Sequence, residues 1–177
     1  MALASVTSGE RGVTDRLLAG VVARLFADGA RVAGALRPVA PEGGPSHCDS
    51  DLWLLPDGPV VRITQELGAG STACRMDAGA LEGAVGLVTA RLAMAGADLV
   101  VLNKFGLSEA EGRGFRTLIA EALGRGVPVL IGLSDTHRAA FERFAGGMAT
   151  ALPPDEEAIL GWCRAMARPV ADATGEI

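Results

Sequence analysis

Short, unalternating apolar runs separated by amphipathic stretches recur along this chain, and that rhythm predicts alternating strands and helices. Residues 3–6 form a first candidate strand that closes in Thr7-Ser8-Gly9. Leu17, Leu18, Val21, Val22 and Leu25 then follow helical spacing up to the stop signal Asp28-Gly29. A β-like run at 31–36 leads into a Pro/Gly-rich loop at 38–45. Two short strands, 51–55 and 60–64, flank Pro56-Asp57-Gly58-Pro59, a turn-forming run that predicts a hairpin. Residues 65–75 read as a Gly-rich loop, and Asp77 as the N-cap of a helix over 78–94.

The second half keeps the rhythm. Residues 99–102 and 127–133 are apolar at successive positions, as strands covered by helices on both faces are. Ser108 followed by Glu111 matches a capping box that opens a helix to about 123. A helix from Asp135 through Phe144, a last strand at 148–152 and a final helix near Pro154 complete the order. His137 reads as part of a helix-start cap, and Arg75 with Asp77 as a pair that fixes a loop. Strand–helix alternation with doubly buried strands implies an α/β fold. The expected architecture is a mostly parallel sheet with helices on both faces and an inserted β-hairpin. It is a single domain over 1–168, with a flexible tail at 169–177. In such sheets ligands sit beyond the carboxyl ends of the strands. The hairpin runs away from that edge and back, so His47, Cys48, Cys74 and Arg75 are expected to approach the first loop and Asn103.

Composition narrows the function classes. The 177 residues are 49% apolar but include no Tyr and only two Trp, so Val, Leu, Ala and Ile must build the core. The net charge is −5 and the cations are dispersed, which argues against neutralising a nucleic-acid backbone. Glu82, Arg91, Gly96 and Asp98 interrupt the apolar stretch 81–102, so no membrane span is expected. The first eight residues lack the basic and apolar regions of a secretory signal. Three widely spaced Cys point to free thiols in a reducing cytoplasm.

Two segments carry candidate chemistry. Gly9-Glu10-Arg11-Gly12-Val13-Thr14-Asp15-Arg16 sits where a phosphate-binding Gly-rich loop would sit. A Walker motif uses Gly for backbone approach to phosphate, Lys for the terminal phosphates and Ser/Thr for magnesium. Overlaying it places Thr14 at the last Gly, Asp15 at the Lys and Arg16 at the Ser/Thr. A carboxylate at the Lys position repels a triphosphate, while two glycines and a helix N-terminus still favour an anion. The plain alternative is a strand-to-helix turn. The second segment, Asn103-Lys104-Phe105-Gly106, lies where an ATPase places its metal-binding acid. A guanine-reading Asn-Lys-x-Asp fails because Gly106 stands where Asp is needed. Lys104 leaves a buried strand at the ligand edge, in position to bind an anion; otherwise it is a solvated charge beside a loop-capping Asn103. Cys48 and Cys74 are candidate metal ligands without the short spacing of structural zinc sites, and their plain reading is small buried side chains. Cys163 reads as filler, and Glu109 and Glu111 as helix-dipole partners.

Val60 through Gly68, Cys74-Arg75-Met76-Asp77, Ala97 through Gly106 and Glu109 through Gly114 resemble a bacterial family of unknown function, over roughly residues 2–165. Its genes often accompany molybdate-transport and molybdenum-enzyme genes. More remotely the chain is similar to the thermophilic-type nucleoside-triphosphatases. In those, the later segment begins Asp-Glu and continues to a further Glu, which Glu109 matches, whereas Asp15, Arg16, Asn103 and Lys104 depart from the pattern. The resemblance implies a P-loop-like fold and a molybdenum context. The expectation is a cytoplasmic, non-hydrolysing protein that holds a small oxyanion, molybdate, tungstate or a phosphate-bearing ligand, rather than Mg-nucleotide. Gly9, Arg11, Gly12, Val13, Thr14, Arg75, Asn103 and Lys104 form its expected site. Alternatives are a nucleotide hydrolase or transferase that uses Lys104, and an oligomeric scaffold with a vestigial site that packs through the apolar helix 78–94. Neither nucleic acid nor membrane is an expected partner.

Overall fold

A computed structural model describes residues 1–10, 12–39, 51–66 and 74–167. Strand β1 (Leu3–Val6) leads into helix α1 (Val13–Ala27), then β2 (Val32–Leu36), β3 (Asp51–Leu55) and β4 (Val60–Arg62). Strands β5 (Thr64–Glu66) and β6 (Cys74–Met76) precede α2 (Ala78–Ala95) and β7 (Leu99–Phe105). Helices α3 (Leu107–Ala110) and α4 (Arg116–Gly124), strand β8 (Val129–Leu133), helix α5 (Arg138–Ala145), strand β9 (Ala149–Leu152) and helix α6 (Glu156–Met166) follow.

Seven strands form one sheet in the order β4-β3-β2-β7-β8-β1-β9. Pairing is parallel from β2 to β9, and the β3–β4 hairpin adds antiparallel strands at one edge. The expected fold is therefore the observed one. Strand β1 lies between β8 and β9, so the chain reverses its direction of winding there, and its outgoing loop opens at the crevice where such sheets bind ligands.

Successive strand residues point to opposite faces, and the core divides accordingly. Leu99 and Val101 pack with Leu18, Val22, Leu25, Ile159 and Leu160 from α1 and α6. Val100 and Leu102 pack with Leu81, Val88, Leu118, Ile119 and Phe141 from α2, α4 and α5. Gly34 in β2 permits the closest approach inside the sheet, since a Cβ there would lie 1.9 Å from the Val101 carbonyl oxygen.

Local predictions fare unevenly. Asp77 caps α2 as expected, with its Oδ1 accepting from the Ala80 N–H at 3.0 Å. Its other oxygen accepts from Gln65 at 3.1 Å, so Gln65 rather than Arg75 is the partner that fixes the loop. Of the Gly-rich loop expected at 65–75, the two ends belong to β5 and β6, which pair as a separate two-stranded ribbon, and residues 67–73 lie outside the described residues. The helix expected from Ser108 is two helices, broken over residues 111–115. Glu109, not Glu111, serves its start: Glu109 Oε2 accepts from the Gly106 N–H, while Glu111 turns outward to Arg113. Helix α2 is long and apolar enough to cross a membrane, yet Leu81, Ala84, Val85, Val88 and Leu92 are buried in the core of the fold. The tail at 169–177 lies outside the described residues.

Candidate functional site at the ends of β1 and β7

The first loop ends at Gly12, whose φ of +77° is a left-handed conformation suited to glycine. It is the N-cap of α1 and supplies no side-chain acceptor; the Val13 N–H donates to the Glu10 carbonyl at 3.4 Å. Asp15 in that turn turns toward the sheet. Its Oδ1 accepts a 2.5 Å hydrogen bond from the Asn103 side-chain amide. The alternation of β7 explains the meeting: Leu99 and Val101 face α1, and Asn103, two residues further, continues the same row. Gly132 in β8 makes space for it, because a Cβ there would stand 2.9 Å from Asn103 Oδ1 and 3.1 Å from the Thr14 methyl. Thr14, Asp15, Asn103 and Gly132 thus form one packed cluster, with Asn103 buried.

Strand β7 then breaks its regular register. Asn103 pairs with Gly132 and Phe105 with Leu133, an irregularity that leaves Lys104 out of the ladder. Phe105 packs edge-on against Phe141, with ring centroids 5.4 Å apart. Lys104 is exposed and lines a cleft of about 210 Å³ on the α2 side of the sheet. Leu52, Ile63, Leu81 and Phe115 wall this cleft, with Arg37, Asn103 and Glu109 as its other polar lining. Among the described residues Lys104 has no ion-pair partner, whereas most Arg side chains are paired, as Arg31 is with Asp98.

Glu109 is only 4% exposed. Its two oxygens accept from the Phe115 N–H at 2.9 Å and the Gly106 N–H at 3.0 Å, which fastens the end of β7 to the start of α4. Gly114 leaves room for the carboxylate, since a Cβ there would meet Glu109 Oε1 at 2.2 Å. Beside it, Glu82 of α2 accepts from the Gly114 N–H at 3.1 Å. The helix-dipole explanation of Glu109 was therefore incomplete; the spacing Gly106-x-x-Glu109 was the available signal.

The remaining expected residues are dispersed. Gly9 is exposed at the loop, and none of residues 9, 12, 13 and 14 lines the Lys104 cleft. Arg75 is exposed in β6 opposite Gln65, and its neighbour Met76, not Arg75, reaches the cleft. Arg11, His47 and Cys48 lie outside the described residues, and Cys74 occupies β6. Among the described residues, no three His, Cys, Asp or Glu side chains are grouped to hold a metal. Ser134 Oγ lies 3.1 Å from His137 Nδ1, consistent with the helix-start role expected of His137. Cys163 is buried, and desolvation pushes its thiol up to about 12. Sequence reasoning missed the Asp15–Asn103 hydrogen bond and the contribution of Arg37 to the cleft.

Comparison with known proteins agrees with this frame. The model of the family described as "Protein of unknown function (DUF2478)" matches residues 3–162. The chain is 34% identical over 150 residues to the molybdenum import ATP-binding protein ModC 2 of Bradyrhizobium diazoefficiens. That match covers 85% of this chain but spans only 17% of the relative's length. The fold is that of a P-loop nucleoside triphosphatase. The solution structure of a human cancer-related nucleoside triphosphatase superposes with a TM-score of 0.63 at 15% identity, covering 94% of this chain and 95% of that one.

Proposed function

The chain belongs to the DUF2478 family, and from that premise we propose that it is a binding protein of degenerate P-loop type that holds an oxyanion or a phosphate-bearing ligand without splitting it. The observation that carries this reading is the hydrogen bond between Asp15 and Asn103. In a P-loop frame these positions correspond to the phosphate-binding Lys and the metal-binding acid. Here a carboxylate and an amide occupy them and satisfy one another, so neither phosphate charge nor magnesium is served by that pair. One residue beyond Asn103, Lys104 is an exposed cation with no ion-pair partner among the described residues. The first turn of α1, which does not line the Lys104 cleft, is a separate candidate anion position through its backbone N–H groups and the favourable end of a helix dipole.

The context of the relative, an ATP-binding protein of molybdenum import, makes molybdate or tungstate the oxyanion to try first. Calorimetric titration with molybdate, tungstate, phosphate and ATP tests the proposal. At least one oxyanion is expected to bind, with binding weakened tenfold or more in Lys104→Ala. No heat with any of the four removes the reading. Magnesium-dependent phosphate release from ATP that disappears in Lys104→Ala would replace it with a hydrolase.

A further inference from the structure

The cleft beside Lys104 is shaped for more than a bare oxyanion. Four of its walls are the apolar side chains of Leu52, Ile63, Leu81 and Phe115. Its rim carries two exposed large apolar residues, Met76 at 46% and Leu107 at 60%. A hydrated tetrahedral anion gains nothing from such surface and loses solvation against it. At the polar end, Lys104 supplies one unpaired cation among the described residues. Glu109 lines the same cleft with its carboxylate already held by two backbone N–H groups, so each oxygen retains acceptor capacity.

We propose that this cleft binds a small organic anion: one acidic group seated at Lys104, joined to a compact ring that packs on Leu52, Ile63, Leu81 and Phe115. A hydrogen-bond donor on the ring edge would be received by Glu109. The volume of about 210 Å³ sets the size class. Pockets for drug-sized ligands are roughly 300–1,000 Å³, so this smaller cleft suits a single ring with its acidic group. The mixture of apolar walls and few convergent polar groups is the usual composition of an organic-ligand site. This inference rests on the anion-binding reading of Lys104 but not on the first loop, because the cleft is lined by none of residues 9, 12, 13 and 14.

Three probes separate the contributions: phenyl phosphate, inorganic phosphate and benzyl alcohol, titrated into the full chain by calorimetry. Phenyl phosphate is expected to bind at least tenfold more tightly than inorganic phosphate, and benzyl alcohol to give no measurable binding. Lys104→Met should weaken phenyl phosphate tenfold or more, and Lys104→Arg should restore most of the loss. Leu107→Ser with Met76→Ser, both on the exposed rim, should shrink the advantage of the ring while leaving inorganic phosphate unaffected. If inorganic phosphate binds and the ring adds nothing, the cleft proposal falls and the oxyanion reading stands. If phenyl phosphate binds while no inorganic oxyanion does, the bare-oxyanion form of the proposed function falls, its phosphate-bearing form is kept, and the cleft proposal stands. Equal binding of benzyl alcohol and phenyl phosphate overturns the role of Lys104, and absence of binding by every probe overturns the cleft proposal.

Discussion

Asp15 and Asn103 stand 88 positions apart, yet their side chains share a 2.5 Å hydrogen bond that joins the first turn of α1 to the end of β7. Asn103 is buried, so removing its acceptor leaves an amide that water reaches poorly. Asp15→Ala is expected to destabilise the protein by about 1–3 kcal/mol in urea unfolding. Asn103→Ala should cost a similar amount. The double variant should fall short of the sum, with a coupling energy of about 0.5–3 kcal/mol. Strict additivity would mean that the bond contributes nothing.

How much of this was open to reading from residues alone depends on range. Strand β1, the cap at Asp77 and the apolar face of α1 follow from local pattern, because side-chain period and capping chemistry operate within a few residues. The strands of the β5–β6 ribbon are three residues each, too short for alternation to register, and their pairing is non-local. Glu109 and Glu111 are chemically equivalent in the sequence. The spacing Gly106-x-x-Glu109 favours the first as the cap, but its second bond, to the Phe115 N–H, comes from a turn no local pattern announces. For the candidate site, Asn103 and Lys104 stand out as polar residues ending an apolar strand. Strand alternation sends them to opposite faces, but the partners they meet there, Asp15 for one and the cleft for the other, are set by non-local packing.

The Glu109 anchor carries its own prediction. A carboxylate accepts from both Gly106 and Phe115, whereas a glutamine turns an N–H₂ group toward one of these donors. Glu109→Gln should therefore cost about 1–3 kcal/mol, even though shape and size are kept. Gly114→Ala should act at the same point, since φ there is +61° and the new methyl would displace Glu109 Oε1. The left-handed backbone alone costs about 1–2 kcal/mol for a residue with a Cβ. Urea midpoints unchanged in both variants would show that the anchor is dispensable.

Gly34 tests packing rather than chemistry. Alanine at this position would drive its methyl to 1.9 Å from the Val101 carbonyl oxygen, between two central strands, at a φ of +133°. The strands cannot separate without giving up the β2–β7 ladder. Gly34→Ala is expected to exceed about 4 kcal/mol, enough to shift the chain largely to unfolded or aggregated material. Soluble, cooperatively unfolding Gly34→Ala protein with a wild-type melting temperature would contradict the close approach.

Acid stability should report on Asp98. The Arg31 guanidinium, which donates to Asp98 Oδ1 at 2.7 Å, holds this carboxyl below its usual value. A folded value below the unfolded one means that the unfolded chain takes up the proton first as pH falls. The stabilisation is therefore complete above the ordinary aspartate value of about 3.9 and disappears as pH drops through the folded value. Melting temperatures measured from pH 6 to pH 2 should fall more steeply below pH 4 in the natural protein than in Asp98→Asn. Parallel curves would assign the acid transition to other carboxylates.

Cys163 offers a probe of global opening. It sits in the α1–α6 core with no exposed surface, and burial pushes its thiol up to about 12. At pH 8 a thiol with that value is only about one part in ten thousand thiolate, so both access and ionisation oppose alkylation. With Cys48 and Cys74 changed to Ser, iodoacetamide should label the folded chain at a rate that tracks unfolding and rises steeply through the urea transition. In the unfolded chain the thiol regains its ordinary value and reacts freely. Complete labelling within minutes in native buffer would mean that α6 detaches readily from α1, and that this face of the sheet is far less firmly closed than its packing indicates.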